Sequence, residues 1–224
     1  SEYSAYINSF DQPENLFESL IYDRINIDKY SWITDDYIAL EQQFSGVEEH
    51  NGMEYGLRFV PGSSSDIYGY VRFVLPNTDA SSQGLERGQI FYAVNNTPLT
   101  INNYRSLLSQ DTYTINFASY DDNGTPTDEN DDTITPEMES VTLEKEVYTE
   151  NPVFKTEIIE VNGENVGYLM YNRFTPDFNT ALNNAFGDFI ANNVKHLVLD
   201  LRYNPGGSVD SATSLGSMIA GEST

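Results

Sequence analysis

An apolar segment, His196-Leu197-Val198-Leu199, runs straight into Asp200-Leu201-Arg202-Tyr203-Asn204-Pro205-Gly206-Gly207, and a helical pattern follows at once. The apolar run is of the kind that forms a buried strand. Beyond the glycine pair, Val209, Ala212, Leu215 and Ile219 recur at roughly helical spacing. The order is therefore strand, tight glycine turn, helix start. Such a turn aims backbone N–H groups at whatever lies above it, and the helix dipole favours negative charge there. Two adjacent glycines permit positive φ and a close approach to the backbone.

Two readings of this turn stay open on physical grounds. Asn-Pro-Gly-Gly is ordinary turn chemistry, and the segment can be a plain connection. It can equally be an oxyanion hole, where backbone donors stabilise a developing negative charge. A nucleotide-phosphate loop fits worse, because no Gly-Lys-Ser/Thr follows the glycines.

Asp200-Leu-Arg-Tyr-Asn-Pro-Gly-Gly207 resembles the DLRxNPGG signature of the C-terminal processing (tail-specific) serine peptidases. The resemblance implies that the motif opens a catalytic domain of crotonase- or ClpP-like fold. It implies that a backbone N–H of Gly206 or Gly207 helps form the oxyanion hole. The family's nucleophilic serine and its general-base lysine lie downstream of the motif, which places both beyond Thr224. Lys195 precedes the motif, and Ser208, Ser211, Ser214 and Ser217 do not stand at the nucleophile position. The expectation is the front of a peptidase without its Ser/Lys dyad, inactive as it stands.

Composition restricts the partners. The 224 residues carry 35 acidic and 11 basic side chains, a formal net charge of -24. Nucleic acid binding requires phosphate neutralisation by Lys and Arg, so it is excluded as a function class. Anionic membrane surfaces are disfavoured for the same reason. There is no cysteine, hence no disulfide, no thiolate zinc site and no cysteine nucleophile. His50 and His196 are too few and too far apart for a metal or triad argument. No cofactor is implied. No run of about 18 apolar residues is present, so no membrane-spanning helix is expected. The resemblance implies an exported protein, periplasmic or at the cell surface of a bacterium, a lipoprotein included.

The expected fold class is α+β, with a helical region at 1–50, a PDZ-like β-rich domain at 51–150, and the opening α/β part of the catalytic domain at 151–224. In the first region, Asp11 and Glu14 around Pro13 predict a capping box, with Leu16, Leu20 and Ile21 on one helix face. A second helix is predicted from Thr34 through Ile38, Leu40 and Phe44 to Gly46, with Trp32 as a core anchor between the two. From Met53 the periodicity changes: 55–60 and 67–75 alternate as strands.

Ala80 to Leu99, with Gly84-Leu85, Gly88, Ile90, Val94 and Asn95, resembles the PA…GL..GD.I..vnG segment of PDZ domains in these peptidases. Gln89 replaces the usual Asp and Asn96 the usual Gly. PDZ domains capture a peptide C-terminus by strand addition. The resemblance makes Tyr55-Gly56-Leu57 the candidate carboxylate-gripping loop and the strand through Phe59 the groove edge. Residues 101–108 form the flanking helix, with Tyr104, Leu107 and Leu108 as the opposite wall. Equally, these side chains can simply pack the core. Strands are expected at 113–119 and 141–147.

The acidic insertion 121–132 is read first as a solvated hairpin loop; its carboxylates could alternatively wrap calcium, although the D-x-D-x-D-G spacing is absent. A hairpin is predicted for 153–161 and 165–171 around Asn162-Gly163, and an amphipathic helix for 177–192 with Phe178, Leu182, Phe186, Phe189 and Ile190 inward. Gly167-Tyr168-Leu169, with Phe174 beyond, resembles the strand that leads into the catalytic domain.

The leading functional reading is a serine-type endopeptidase that binds unstructured protein C-termini through the PDZ module. A non-catalytic peptide- or ligand-binding protein is the alternative, and a calcium-dependent acidic surface protein a third. The resemblance also predicts an uncovered sheet edge at 194–219, giving self-association or disorder there.

Overall fold

The structure, a computed structural model, describes residues 2–125 and 127–221. It divides into two compact units: Ser1–Gly46 with Val153–Thr224, and Val47–Pro152.

The chain opens with three short helices: α1 (Glu2–Ile7), α2 (Pro13–Leu20) and α3 (Tyr37–Phe44). Pro13 at the first turn suits α2, since that position needs no N–H donor. The predicted capping box does not form: the N-cap is Gln12, with no side-chain cap bond. Tyr6 stacks edge-on against Phe10 at 5.2 Å and donates to Ser19 Oγ. Trp32 is not a core anchor but 60% exposed, and Leu20 is 68% exposed. Helices of six and eight residues, none of whose side chains is buried in α1 or α2, offer no layer deep enough to enclose an indole. The second helix also starts three residues later than its acidic first turn suggested.

The middle unit is a sheet. A two-stranded ribbon pairs β1 (Val47–His50) with a late strand, β8 (Glu146–Thr149), described after the strands between them. β2 (Met53–Phe59), β3 (Ile67–Val74), β4 (Ile90–Val94), β6 (Thr112–Asp121) and β7 (Thr133–Glu144) lie in the order β2-β3-β4-β6-β7. The two-residue β5 (Thr97–Pro98) pairs with β4. Two short helices complete the unit, α4 (Asp79–Ser82) and α5 (Tyr104–Leu108). α4 is held by a capping box between Thr78 and Ser81.

Alternation in β3 and β4 delivers the core: Val71, Phe91 and Val94 are buried with Met53, Leu99, Ile115 and Leu143. Gly69 faces Phe91 across the strands, and a Cβ there would fall 2.0 Å from the ring's Cζ. The missing side chain is therefore what lets the Phe91 ring lie against its neighbouring strand. The acidic insertion joins β6 to β7 as a hairpin.

The chain then returns to the first unit. β9 (Val153–Val161) and β10 (Glu164–Tyr171) form the predicted hairpin, with Asn162 and Gly163 at φ 54° and 83°. After a 3-10 turn at Pro176–Phe178 come α6 (Asn179–Ala191), then β11 (His196–Asp200), and finally α7 (Val209–Ala220). β11 pairs parallel with β10, so β10-α6-β11 is a βαβ crossover with sheet order β11-β10-β9. Leu169, Tyr171, Leu182, Phe189 and Leu215 make its core.

One inward assignment fails: Ile190 is 77% exposed, and Val209, at the start of α7, is 78% exposed. β11 is also not buried on both faces: it is an edge strand, and Val198 is 49% exposed. With one strand beside it and helices on one side only, half of its apolar run has nothing to pack against. No described helix is long and apolar enough to cross a membrane.

Candidate functional site

The turn after β11 is built by side chains that close on their own backbone. Asn204 Oδ1 accepts from the Gly206 N–H at 2.7 Å, and its Nδ2 donates to the Tyr171 carbonyl at the end of β10, at 2.9 Å. That is an Asx turn tied to the neighbouring strand. Gly206 and Gly207 sit at φ 112° and 136°, conformations that side-chain-bearing residues rarely adopt. Phe174 clamps the far side: its N–H donates to the Gly206 carbonyl and its carbonyl accepts from the Ser208 N–H at 2.8 Å. A Cβ on Gly207 would lie 2.3 Å from the Phe174 carbonyl oxygen. Ser208 then caps α7, accepting from the Ser211 N–H.

These bonds separate the two glycines. The Gly206 N–H is spent on Asn204, whereas the Gly207 N–H has no partner among the described residues and Gly207 is exposed. It borders an open cleft of about 620 Å3 lined by Ser45, Arg173, Phe174, Asp177, Gly206 and Gly207. One backbone donor, at the N-terminal end of a twelve-residue helix, is thus presented to a concave space.

The start of the motif is an electrostatic anchor. Asp200 is buried, and its carboxylate accepts from the Arg202 backbone N–H, from Arg202 Nε and Nη2, and from the Tyr168 hydroxyl at 2.7 Å. The Arg202 guanidinium holds the Asp200 carboxyl well below the usual carboxylate range against the opposing pull of burial, with Tyr168 adding to the effect. The Tyr168 hydroxyl is pushed up in turn, chiefly by donating to Asp200.

A depressed folded-state value means that Asp200 stabilises the fold fully above the unfolded carboxylate value of about 3.9, and loses that contribution as pH falls below it. We expect the melting temperature of the wild type to exceed that of Asp200→Asn at pH 7. The gap should narrow steadily below about pH 4. A gap independent of pH would show that the charge of Asp200 contributes nothing.

The other predicted site residues lie in the middle unit. Tyr55-Gly56-Leu57 is not a loop. It is the centre of β2, paired as Tyr55 with Val71, Gly56 with Tyr70 and Leu57 with Gly69. Pairing with β3, interrupted by a register shift between Glu54 and Tyr55, holds these residues in extended strand rather than in a carboxylate-gripping loop. β2 is nonetheless the terminal strand of its sheet. Tyr55, Leu57, Tyr104 and Leu107 are half-buried around the same core, Leu108 lies within it at 5% exposure, and Phe59 is 55% exposed. The flanking helix is shorter than predicted, Tyr104–Leu108.

Residues 165–224 match the profile of peptidase family S41. This segment runs from β10 through the whole glycine turn and α7. The fold agrees over a much longer stretch. A Bacteroides fragilis NCTC 9343 protein described as an S41 protease has a crystal structure similar to the chain at TM-score 0.59 and 27% identity, covering 91% of this chain and 51% of that one. A photosystem II D1 C-terminal processing protease is similar at TM-score 0.46 and 19% identity, over 80% of this chain and 46% of that one. The chain thus spans about half the length of these solved structures. No curated protein matches it.

Asn204 and Phe174 were missed as working parts of the glycine turn. The Asn204 role was readable, because Asn followed two residues later by a free N–H is an Asx-turn signal. The Phe174 clamp was not, because it joins residues more than thirty apart.

Proposed function

We propose that this chain is the front portion of a serine-type endopeptidase of the C-terminal processing kind. The observation that carries the reading is the unpartnered N–H of exposed Gly207 at the border of an open cleft, within the segment that matches the S41 profile. In the full-length protein this N–H donates to the oxyanion of the tetrahedral intermediate. The nucleophile is a serine, and a lysine kept neutral by burial takes its proton; both belong to sequence outside this chain.

In the same proposal residues 51–150 act as a PDZ-like module. β2 at the sheet edge, with Tyr55 and Leu57 packed against the same core as Tyr104 and Leu107 of α5, supports a groove between that strand and α5. An unstructured protein C-terminus would add there as a further strand. Since Tyr55-Gly56-Leu57 is paired strand, the terminal carboxylate would have to be gripped elsewhere. We further propose an exported protein. Exposed Val198, Leu201, Val209 and Ile219 fit burial by more catalytic-domain sequence or by a second copy.

The test uses the full-length protein and one unstructured peptide made with a free and with an amidated C-terminus. Cleavage of the free form in preference to the amidated one is expected. No cleavage of either would sink the peptidase reading and favour a non-catalytic binding protein. Equal cleavage of both would leave the peptidase and remove C-terminal capture.

A further inference from the structure

The acidic hairpin between β6 and β7 holds one group that the proposed peptidase chemistry does not use. Asp132 is 7% exposed. Its Oδ2 accepts from the Tyr120 hydroxyl, and its Oδ1 has no hydrogen-bond partner among the described residues. Buried carboxylate oxygens are nearly always satisfied, so an open one needs a reason. Asp132 lines a cleft of about 540 Å3 together with Leu57, Phe59, Tyr68, Tyr120 and Glu129. A second cleft, of about 880 Å3, shares Arg58, Tyr68 and Tyr120 with the first and adds Glu137 and Glu139. The two clefts adjoin at these three shared side chains.

We propose that these clefts are a receptor site for a lysine or arginine side chain carried on an extended polypeptide, with Asp132 as its acceptor once the side chain turns its buried, unpartnered Oδ1 toward the cleft it lines. A carboxylate only accepts, so the occupant must bring donors. The wall beside it is aromatic: the Tyr68 and Tyr120 rings lie 6.4 Å apart, tilted by 36°. Phenol faces attract cations. The groove's charge points the same way. Glu129, Asp132, Glu137 and Glu139 stand against Arg58 alone, and Arg58 is already 3.3 Å from Glu129.

A calcium ion is the poorer fit, since it takes six to eight oxygens, and no group of three or more His, Asp or Glu able to hold a metal occurs among the described residues. An open groove rather than an enclosed cavity suits a passing chain better than a small amine. The net charge of -24 would draw basic segments to the protein at low salt.

The experiment is a ¹⁵N-correlation NMR titration of this chain with acetyl-Gly-Gly-Lys-Gly-Gly-amide and with its norleucine analogue, at low and physiological salt. Saturable shifts at Tyr68, Tyr120 and Asp132 with the lysine peptide alone are expected. Asp132→Asn keeps an acceptor for Tyr120 and should weaken binding at least about tenfold. The double variant Glu137→Gln/Glu139→Gln changes exposed side chains only, and should weaken it severalfold at low salt and less at physiological salt. Equal binding of the norleucine peptide overturns the proposal. So does undiminished binding by both variants. Absence of saturable shifts, or shifts of these residues by calcium chloride but not by the lysine peptide, overturns it too.

Discussion

Gly207→Ala is expected to lower kcat of the full-length protein by about 10²–10³-fold, the usual consequence of losing one oxyanion donor. The cause is steric and conformational together. The new Cβ would sit 2.3 Å from the Phe174 carbonyl oxygen, and φ 136° is itself a strained conformation for alanine. The turn must shift, and with it the one N–H left open. Because the donor acts on the transition state, KM should change far less than kcat. Gly206→Ala is the informative companion. Its Cβ meets nothing within 4 Å, and its N–H is already bound to Asn204. It should impose backbone strain with a smaller loss of kcat. If Gly206→Ala proved the more damaging of the two, the donor assignment to Gly207 would be wrong.

Phe91→Ala should destabilise the middle unit by about 3–5 kcal/mol, as deletion of a wholly buried aromatic ring does elsewhere. Phe91 is 0% exposed and central to its core. Gly69→Ala should also be costly, since its Cβ would collide with the Phe91 ring rather than with a flexible side-chain end. The two changes should not add. Once the ring is gone the space it filled can take the new methyl, so Gly69→Ala should cost little or nothing in the Phe91→Ala background. Urea unfolding of the four proteins gives the coupling directly. Strict additivity would mean that the Gly69–Phe91 contact does not set the packing of β3 on β4.

The places where residues and structure parted company share a cause. Ile190 and Val198 were expected on buried faces and Trp32 as a core anchor, and all three are substantially exposed. Periodicity reports which side chains share a face of a helix or strand, and nothing about whether a second layer lies opposite. Around α1 and α2, and outside β11, no such layer is in place. Tyr55-Gly56-Leu57 failed differently. Its position by resemblance suggested a loop, but pairing with β3 runs through all three residues. The alternation of 55–60 had marked a strand, and pairing with the next strand along the chain upholds that reading over the loop suggested by resemblance.

Asn162-Gly163 between two alternating runs was enough for the β9–β10 hairpin, because only residues tolerant of positive φ close so short a turn. The strand, glycine turn and helix from 196 to 220 were likewise local, and the signature read there as a resemblance to C-terminal processing peptidases lies within the segment that matches the S41 profile. What tertiary structure alone decided is which of the two glycines can act. Asn204 occupies the Gly206 N–H while bracing itself on Tyr171, and Phe174 pins the turn from the other side. Those partners lie some thirty residues away along the chain, and only the packing of β10 beside β11 brings them to the turn. It is that packing which leaves the Gly207 N–H without a partner at the border of an open cleft.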